Sequence, residues 1–356
     1  MTTQPPPPFA CTYTPNVAEL LTQLNCSIAL TTYQAGKLIF LSPDGINAMR
    51  QLPRDFNKAM GLGLKGHRMA LATKEEVVVL ANAPQLATDY KTKPNFYDAF
   101  YVPRATYYTG TVDIHDMDWD KNGKLWAVNT AFSCLCTLDD TYSFVPQWTP
   151  PFIKSFESAD FCHLNGMAMV DDMPRYVTMF GQTTTPKGWR EGIQTNGLIM
   201  DITTNEVVVG GLAMPHSPRW FDGHLYCLLS ATGELIRVNT EGGTYEVVTR
   251  LKGFVRGMAK YGDYLFIGLS RLRQNASTFR DLPIAKDAIH CGIEIIHLPT
   301  GANVGHIRYL ASVEEIYDVQ ILPNALRPGI LNHTAPAHRL SLHTPSSSFW
   351  AQPTED

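Results

Sequence analysis

Three histidines stand in similar company along the chain. His115 lies in "DIHDMDW" (113–119), His163 in "CHLNGMAM" (162–169) and His216 in "MPHSPRW" (214–220). Each stands just ahead of a short apolar run that reads as a strand. Neutral imidazole is the commonest metal ligand. A three-histidine set leaves positions on a divalent ion open for water or substrate. If His115, His163 and His216 converge, the expected cofactor is a divalent metal, zinc ahead of iron. Its bound water would then serve as nucleophile or base near neutral pH. Arg219 and Arg256 suit a substrate carboxylate or developing negative charge. Tyr317 can donate or accept a proton, and Asp116 or Asp318 can orient an imidazole from behind. The candidate catalytic set is therefore Arg219, Arg256, Tyr317 and Asp116. Lys58, Asn165, Asp318 and Tyr107 are candidate ligand contacts. A metal-free ligand pocket, or polar groups that merely hydrate a channel, would use the same residue types.

Elements that could bring these residues together are legible as a repeat. Between about residues 26 and 322 the chain reads as strands of four to seven residues separated by turn signals. Compare "DMDWDKNGKLWAVNT" (116–130), "SPRWFDGHLYCLLS" (217–230) and "GMAKYGDYLFIGLS" (257–270). The segments at 59–73 and 166–180 fit the same frame, and a sixth start lies at 317–322. The residues ahead of these starts are Lys58, His115, Asn165, His216, Arg256 and Tyr317, spaced 40 to 61 residues apart. Periods of this length with four strands each predict a β-propeller.

Six starts predict six blades. Too little chain follows 322 to finish the last one, and three surplus strands (27–33, 36–42 and 46–53) precede the first. The expectation is an all-β, six-bladed propeller whose N- and C-terminal strands share the closing blade, which removes two exposed edges. Residues 1–25 read as an extension with a short helix at 16–25, capped by Asn16. Residues 26–330 read as the propeller, and 331–356 as a disordered Ser/Pro-rich tail. The aligned residues would ring the channel mouth. Insertions at 91–110, 182–197 and 271–291 are expected on the same face. The first carries Tyr107 among many aromatics suited to stacking on a ligand.

Composition narrows the field. The 356 residues carry a formal charge of −4, with no basic stripe to recruit nucleic acid. No run of eighteen apolar residues predicts a membrane span. The start lacks a secretory signal, so a cytoplasmic location is expected. The seven cysteines are irregularly spaced; only Cys134 and Cys136 are close, and no second pair completes a zinc site.

The strings "TYQAGKL", "HDMDW", "NTAFSCLCTLD", "CHLNGMAM", "PRYVT", "MPHSPRW", "GFVRGMA", "EIYDVQILP" and "LRPG" resemble an uncharacterised bacterial propeller family, over nearly residues 25–330. That resemblance implies one propeller domain and no particular reaction. More loosely, histidines from separate blades resemble the zinc-dependent amidating lyase propellers. Calcium lactonases of the same architecture use Glu, Asn and Asp instead, and this chain has few carboxylates at the ring. The function expected is a metal-dependent lyase or hydrolase acting on a small or peptide-like polar substrate at the channel mouth. The other reading is a binding module that takes a ligand or protein and does no chemistry.

Overall fold

Alternation decides this fold. In strands Cys26–Thr32 and Lys37–Pro43, Ile28, Leu30, Ile39 and Leu41 face one core, while Ala29, Leu38 and Phe40 face another. A strand apolar on both faces must be covered on both. The same division recurs in the other sheets. Met69 and Leu71 oppose Ala70 and Ala72, Ala127 and Cys136 oppose Val128 and Leu135, and Tyr176 opposes Val177 and Met179. Cys227 and Leu229 oppose Tyr226 and Leu228, and Phe266 opposes Leu265 and Ile267. Followed around, each sheet shares one core with the sheet before it and one with the sheet after it, and the last returns to the first. Deleting one of these buried rings, as in Phe266→Ala, should cost about 3–5 kcal/mol.

The structure is a computed structural model that describes residues 5–272 and 279–352. It is a six-bladed β-propeller with four or five strands per blade. The inner strands of blades one to six are Leu62–Lys65, Ile114–Trp119, Gly166–Val170, Pro215–Phe221, Phe254–Tyr261 and Asp318–Pro323. Blade six closes the ring as expected: Asp318–Pro323 pairs antiparallel with Cys26–Thr32, and Lys37–Pro43 and Met49–Asp55 follow outward.

Both chain ends also strap outer edges. Cys11–Tyr13 adds a fifth strand to blade five, beside Ala302–Tyr309. The helix Asn16–Gln23 buries Val17, Ala18 and Leu21, with Leu20 and Leu24 packed beside them. Asn16 does not cap it; its amide donates to the Val304 carbonyl instead.

Two sequence expectations need correction. Residues 91–110 are not a mouth loop. Ala99–Tyr108 is the fourth strand of blade one, with Pro328–Ile330 paired parallel beyond it, and 83–98 joins it to Glu76–Asn82 on the face opposite the mouth. Residues 331–352 are not featureless. They hold the turn Pro336–Leu340 and the hairpin Ser341–His343 with Ser348–Trp350. Trp350 stacks on Tyr90 and donates its indole N–H to the Leu86 carbonyl, so burial of one aromatic anchors the segment.

Candidate site at the channel mouth

The mouth residues are set by a backbone device. Lys58, Asp113, His163 and Met214 all adopt left-handed φ values of +51°, +58°, +49° and +55°. Such a conformation is uncommon for residues other than glycine, and here it turns the chain into the inner strand. The residues two further on are Met60, His115, Asn165 and His216. Lys58 therefore matches His163 rather than His115, and Met60 takes the histidine's place in blade one.

Behind His115 and His216 a hydroxyl repeats. Thr130 Oγ1, at the end of the second strand of blade two, donates to the Leu164 carbonyl of blade three at 2.5 Å. Its lone pair then accepts from His115 Nδ1 at 2.8 Å. Ser230 does the same in blade four, donating to the Val255 carbonyl at 2.6 Å and meeting His216 Nδ1 at 2.7 Å. Carbonyls of Asp113 and Met214 also face these nitrogens, at 3.0 and 3.2 Å. A hydroxyl whose hydrogen is already used can only accept, so this network assigns the proton to Nδ1 in both rings. Burial lowers the pKa of His115 to about 4 and that of His216 well below 6.5, so both are neutral.

His163 is held differently. Asp160 Oδ2 lies 3.2 Å from its Nδ1, and Asp160 also accepts from the His163 backbone N–H and the Trp189 indole, at 3.1 and 3.0 Å. The imidazole packs between Phe180 and Trp189, with centroids 4.5 and 4.3 Å away. In all three histidines Nδ1 is engaged, and Nε2 has no hydrogen-bond partner among the described residues.

The donor type therefore suits a borderline cation, but the arrangement does not gather it. His115 and His163 lie edge to face at 4.9 Å, whereas the Phe180 ring stands 4.5 Å from His163 and 5.1 Å from His216. Among the described residues, no group of three or more His, Cys, Asp or Glu side chains is placed to hold a metal ion. No metal step is derived from this geometry.

Other candidates divide into two layers. Deeper in the channel, Arg219 grips Asp116 with two nitrogens, at 2.7 and 3.2 Å, and reaches Asp318 at 3.6 Å. These carboxylates are also latches between blades: Asp116 accepts the Met167 N–H and Asp318 accepts the Leu62 N–H. Ser217 does likewise for Gly257. Arg219, Asp116 and Asp318 thus bind the ring together beneath the mouth. Asn165 is engaged too, accepting from Thr178 and donating to the His163 carbonyl. Tyr107 pairs with Val77 on the outer strand and lines neither mouth cavity.

At the mouth itself, Arg256 lies flat on the Tyr317 ring, 3.4 Å from its centroid. Tyr317 stacks on Tyr33, whose hydroxyl accepts from Lys58 at 3.0 Å. The Tyr317 hydroxyl is buried and has no hydrogen-bond partner among the described residues. Burial raises its pKa well above the ordinary range, so it stays protonated.

Two cavities meet here, and His163 and Trp189 line both. One, of about 760 Å³, includes Lys58, Lys74, Asp113, Glu157, Lys187 and Arg190 in its wall. The other, of about 270 Å³, is lined by Phe180, Phe254, Phe279, His216, Arg256 and Glu315, among others. Residues 182–197 and the described part of 271–291 do lie at this face. Trp189, Ile193, Leu282 and Ile284 from these segments share one apolar cluster with Phe180 and Phe254. The stretch 149–161, not singled out from sequence, supplies the third wall through Glu157, Ser158, Ala159 and Asp160. Residues 273–278, inside the third insertion, lie outside the described residues.

Fold and site thus define a propeller with a two-lobed mouth. Residues 15–331 match the family described as Domain of unknown function (DUF4915), and the chain belongs to that family. A search of curated proteins gave no match. Among solved structures, the chain is similar to one in the crystal structure of a nidogen/laminin complex, at 9% identity and a TM-score of 0.50. The match covers 84% of this chain and 99% of that one. A catalytically inactive virginiamycin B lyase from Staphylococcus aureus, solved with quinupristin, matches at 12% identity and a TM-score of 0.43, with the same coverage. The first likeness supports the fold alone; nothing is drawn from the second. No helix among the described residues is long and apolar enough to cross a membrane.

Proposed function

We propose that this protein is a small-molecule enzyme of the lyase or hydrolase type, working at the channel mouth by proton transfer centred on His163. The observation that carries this reading is the Asp160–His163 pair. A carboxylate fixed by an indole N–H and a backbone N–H orients the imidazole and favours protonation at Nδ1, leaving Nε2 as a base facing two cavities. Tyr317 is buried and protonated and lines neither cavity, so it backs Arg256 rather than reaching a substrate. Having taken a proton, His163 can return it to the leaving group, so one imidazole serves as base and then acid in an elimination. With water as the group activated, it equally serves hydrolysis. Arg256 supplies fixed positive charge for an anion that develops or is bound.

The test is consumption of compounds from a small-molecule extract, followed by mass spectrometry. Wild type should deplete at least one compound. His163→Ala should lower that rate by about 10²–10⁴-fold, and Asp160→Asn by less. Depletion undiminished in His163→Ala removes the proposal. Saturable binding without turnover supports the module reading instead. Metal analysis of the same preparation decides the cofactor question. Retained stoichiometric zinc or iron that is lost in both His115→Ala and His216→Ala would restore a three-histidine centre and replace the metal-free scheme.

A further inference from the structure

The smaller cavity specifies a ligand class, an inference that rests on the mouth being the working site. Its walls are mainly flat or flexible apolar groups: Phe180, Trp189, Phe254, Phe279 and Met214. Within this lining stands Arg256, whose side chain is only 13% exposed. A guanidinium has five N–H donors. Here one face is covered by Tyr317, and the carboxylate of Glu315 is 3.7 Å away, beyond hydrogen-bond reach. Arg256 makes no hydrogen bond to any described residue. Arg219 shows the contrast: a comparably buried guanidinium in the same channel, bonded to two oxygens of one carboxylate and two backbone carbonyls. A mostly buried cation that lacks such partners is matched by an anion from outside, and its planar fork favours a carboxylate.

The histidines add a second requirement. His163 and His216 line this cavity with neutral or carboxylate-oriented rings whose Nε2 atoms are free to accept. A ligand that satisfies them carries a hydroxyl or N–H donor. The volume, about 270 Å³, equals roughly nine waters at ~30 Å³ each, which suits one substituted ring. We infer that the smaller cavity binds a hydroxylated (or N–H-bearing) aromatic monocarboxylate, its carboxylate on Arg256, its ring between the aromatic walls and its donor on a histidine Nε2.

The test is calorimetric titration of the full chain with five probes: 3-hydroxybenzoate, benzoate, 3-hydroxybenzyl alcohol, acetate and inorganic phosphate. 3-Hydroxybenzoate should bind most tightly, benzoate more weakly, and the alcohol about 10- to 100-fold more weakly, the range expected for one charge-assisted contact. Arg256→Met should abolish the preference for acid over alcohol, and Arg256→Lys should keep part of it. Phe279→Ala should weaken acid and alcohol alike. Near-ultraviolet circular dichroism of each variant checks that the mouth keeps its packing, and Phe279→Ala leaves the cation in place if Arg256→Met does not fold. The inference is overturned if no probe binds, if phosphate or acetate binds as tightly as the aromatic acid, or if acid and alcohol are equal in wild type. Failure of every probe while His163-dependent depletion of another compound persists would sink this ligand class and leave the proposed proton-transfer function standing.

Discussion

Replacing Arg219 with methionine removes the one guanidinium that Asp116 and Asp318 share beneath the mouth. Breaking a buried pair from one side costs about 3–5 kcal/mol, because the remaining charge is left uncompensated. The cost should depend on pH, and its direction follows from the carboxyl groups. Burial raises Asp318 to about 7 and Asp118 to about 6, with Arg219 pulling both down. A carboxyl whose folded pKa lies above its ordinary value binds more protons in the native state, so stability falls as pH rises through the interval between the two. Here that interval runs from about 4 to about 7. Methionine removes the restraint, and the carboxyl groups rise further. At pH 7.5 the variant should lose about 3–5 kcal/mol relative to wild type, and at pH 5, where its carboxyls fold protonated, less than about half of that. Urea unfolding followed by circular dichroism at pH 5, 6 and 7.5 measures the gap. Adding Asp318→Asn to the variant should recover stability at the high pH only. An equal gap at all three pH values, or one below about 1 kcal/mol throughout, would refute the network reasoning.

Histidine spectra test the hydroxyl latch: the rings of His115 and His216 should carry their protons on Nδ1 and stay neutral from pH 8 down to about 5, and a midpoint near 6.5 for either would contradict it. Because the folded pKa of His115, about 4, lies below 6.5, its contribution to stability is present above pH 6.5 and is lost as pH falls toward 4. All seven cysteines are free and six are buried, so a thiol reagent should react with about one group in the native protein, Cys11, and with all of them after denaturation. Early modification of Cys134 or Cys136 would show blade two to be looser than its core implies. Trp350→Ala should release the strap over blade one at a cost of about 1–3 kcal/mol, speeding amide exchange in Ala99–Tyr108 while leaving ligand affinity at the mouth unchanged.

The ring was legible because its repeat is carried by chemistry that every blade needs: apolar strands covered on both faces, and a turn into each inner strand. Thr130, Ser230 and Ser270 end the compared strings at the same place, and that was visible evidence of the hydroxyl latches. Lys58 fell out of frame because a left-handed backbone leaves no mark in the sequence when it falls on Lys, Asp, His or Met. The stretch at 99–108 hid its strand because Pro103 interrupts it; the proline sits at a bulge opposite Leu80 on the outer strand, where a ladder hydrogen bond can be spared. Arg219 looked like a mouth residue because its partners, Asp116 and Asp318, are 103 positions and a blade closure away. Phe180, which touches both His163 and His216, and Trp189, which packs on His163, come from a second strand's end and a short turn that no periodicity predicts.

Closing the ring with both termini sets a schedule for synthesis. Thr31 and Asp318, joined across the innermost pair of blade six, are 287 residues apart. At about 5–20 residues per second, the ribosome delivers the second partner roughly 15–60 s after the first. During that time Cys26–Thr32, apolar on both faces, lacks its inner neighbour and presents an open strand edge. In each of the five other blades the four main strands are continuous in sequence and can form in order behind it. The first strands made are thus among the last to be enclosed, and the nascent chain is most exposed to mispairing at its beginning.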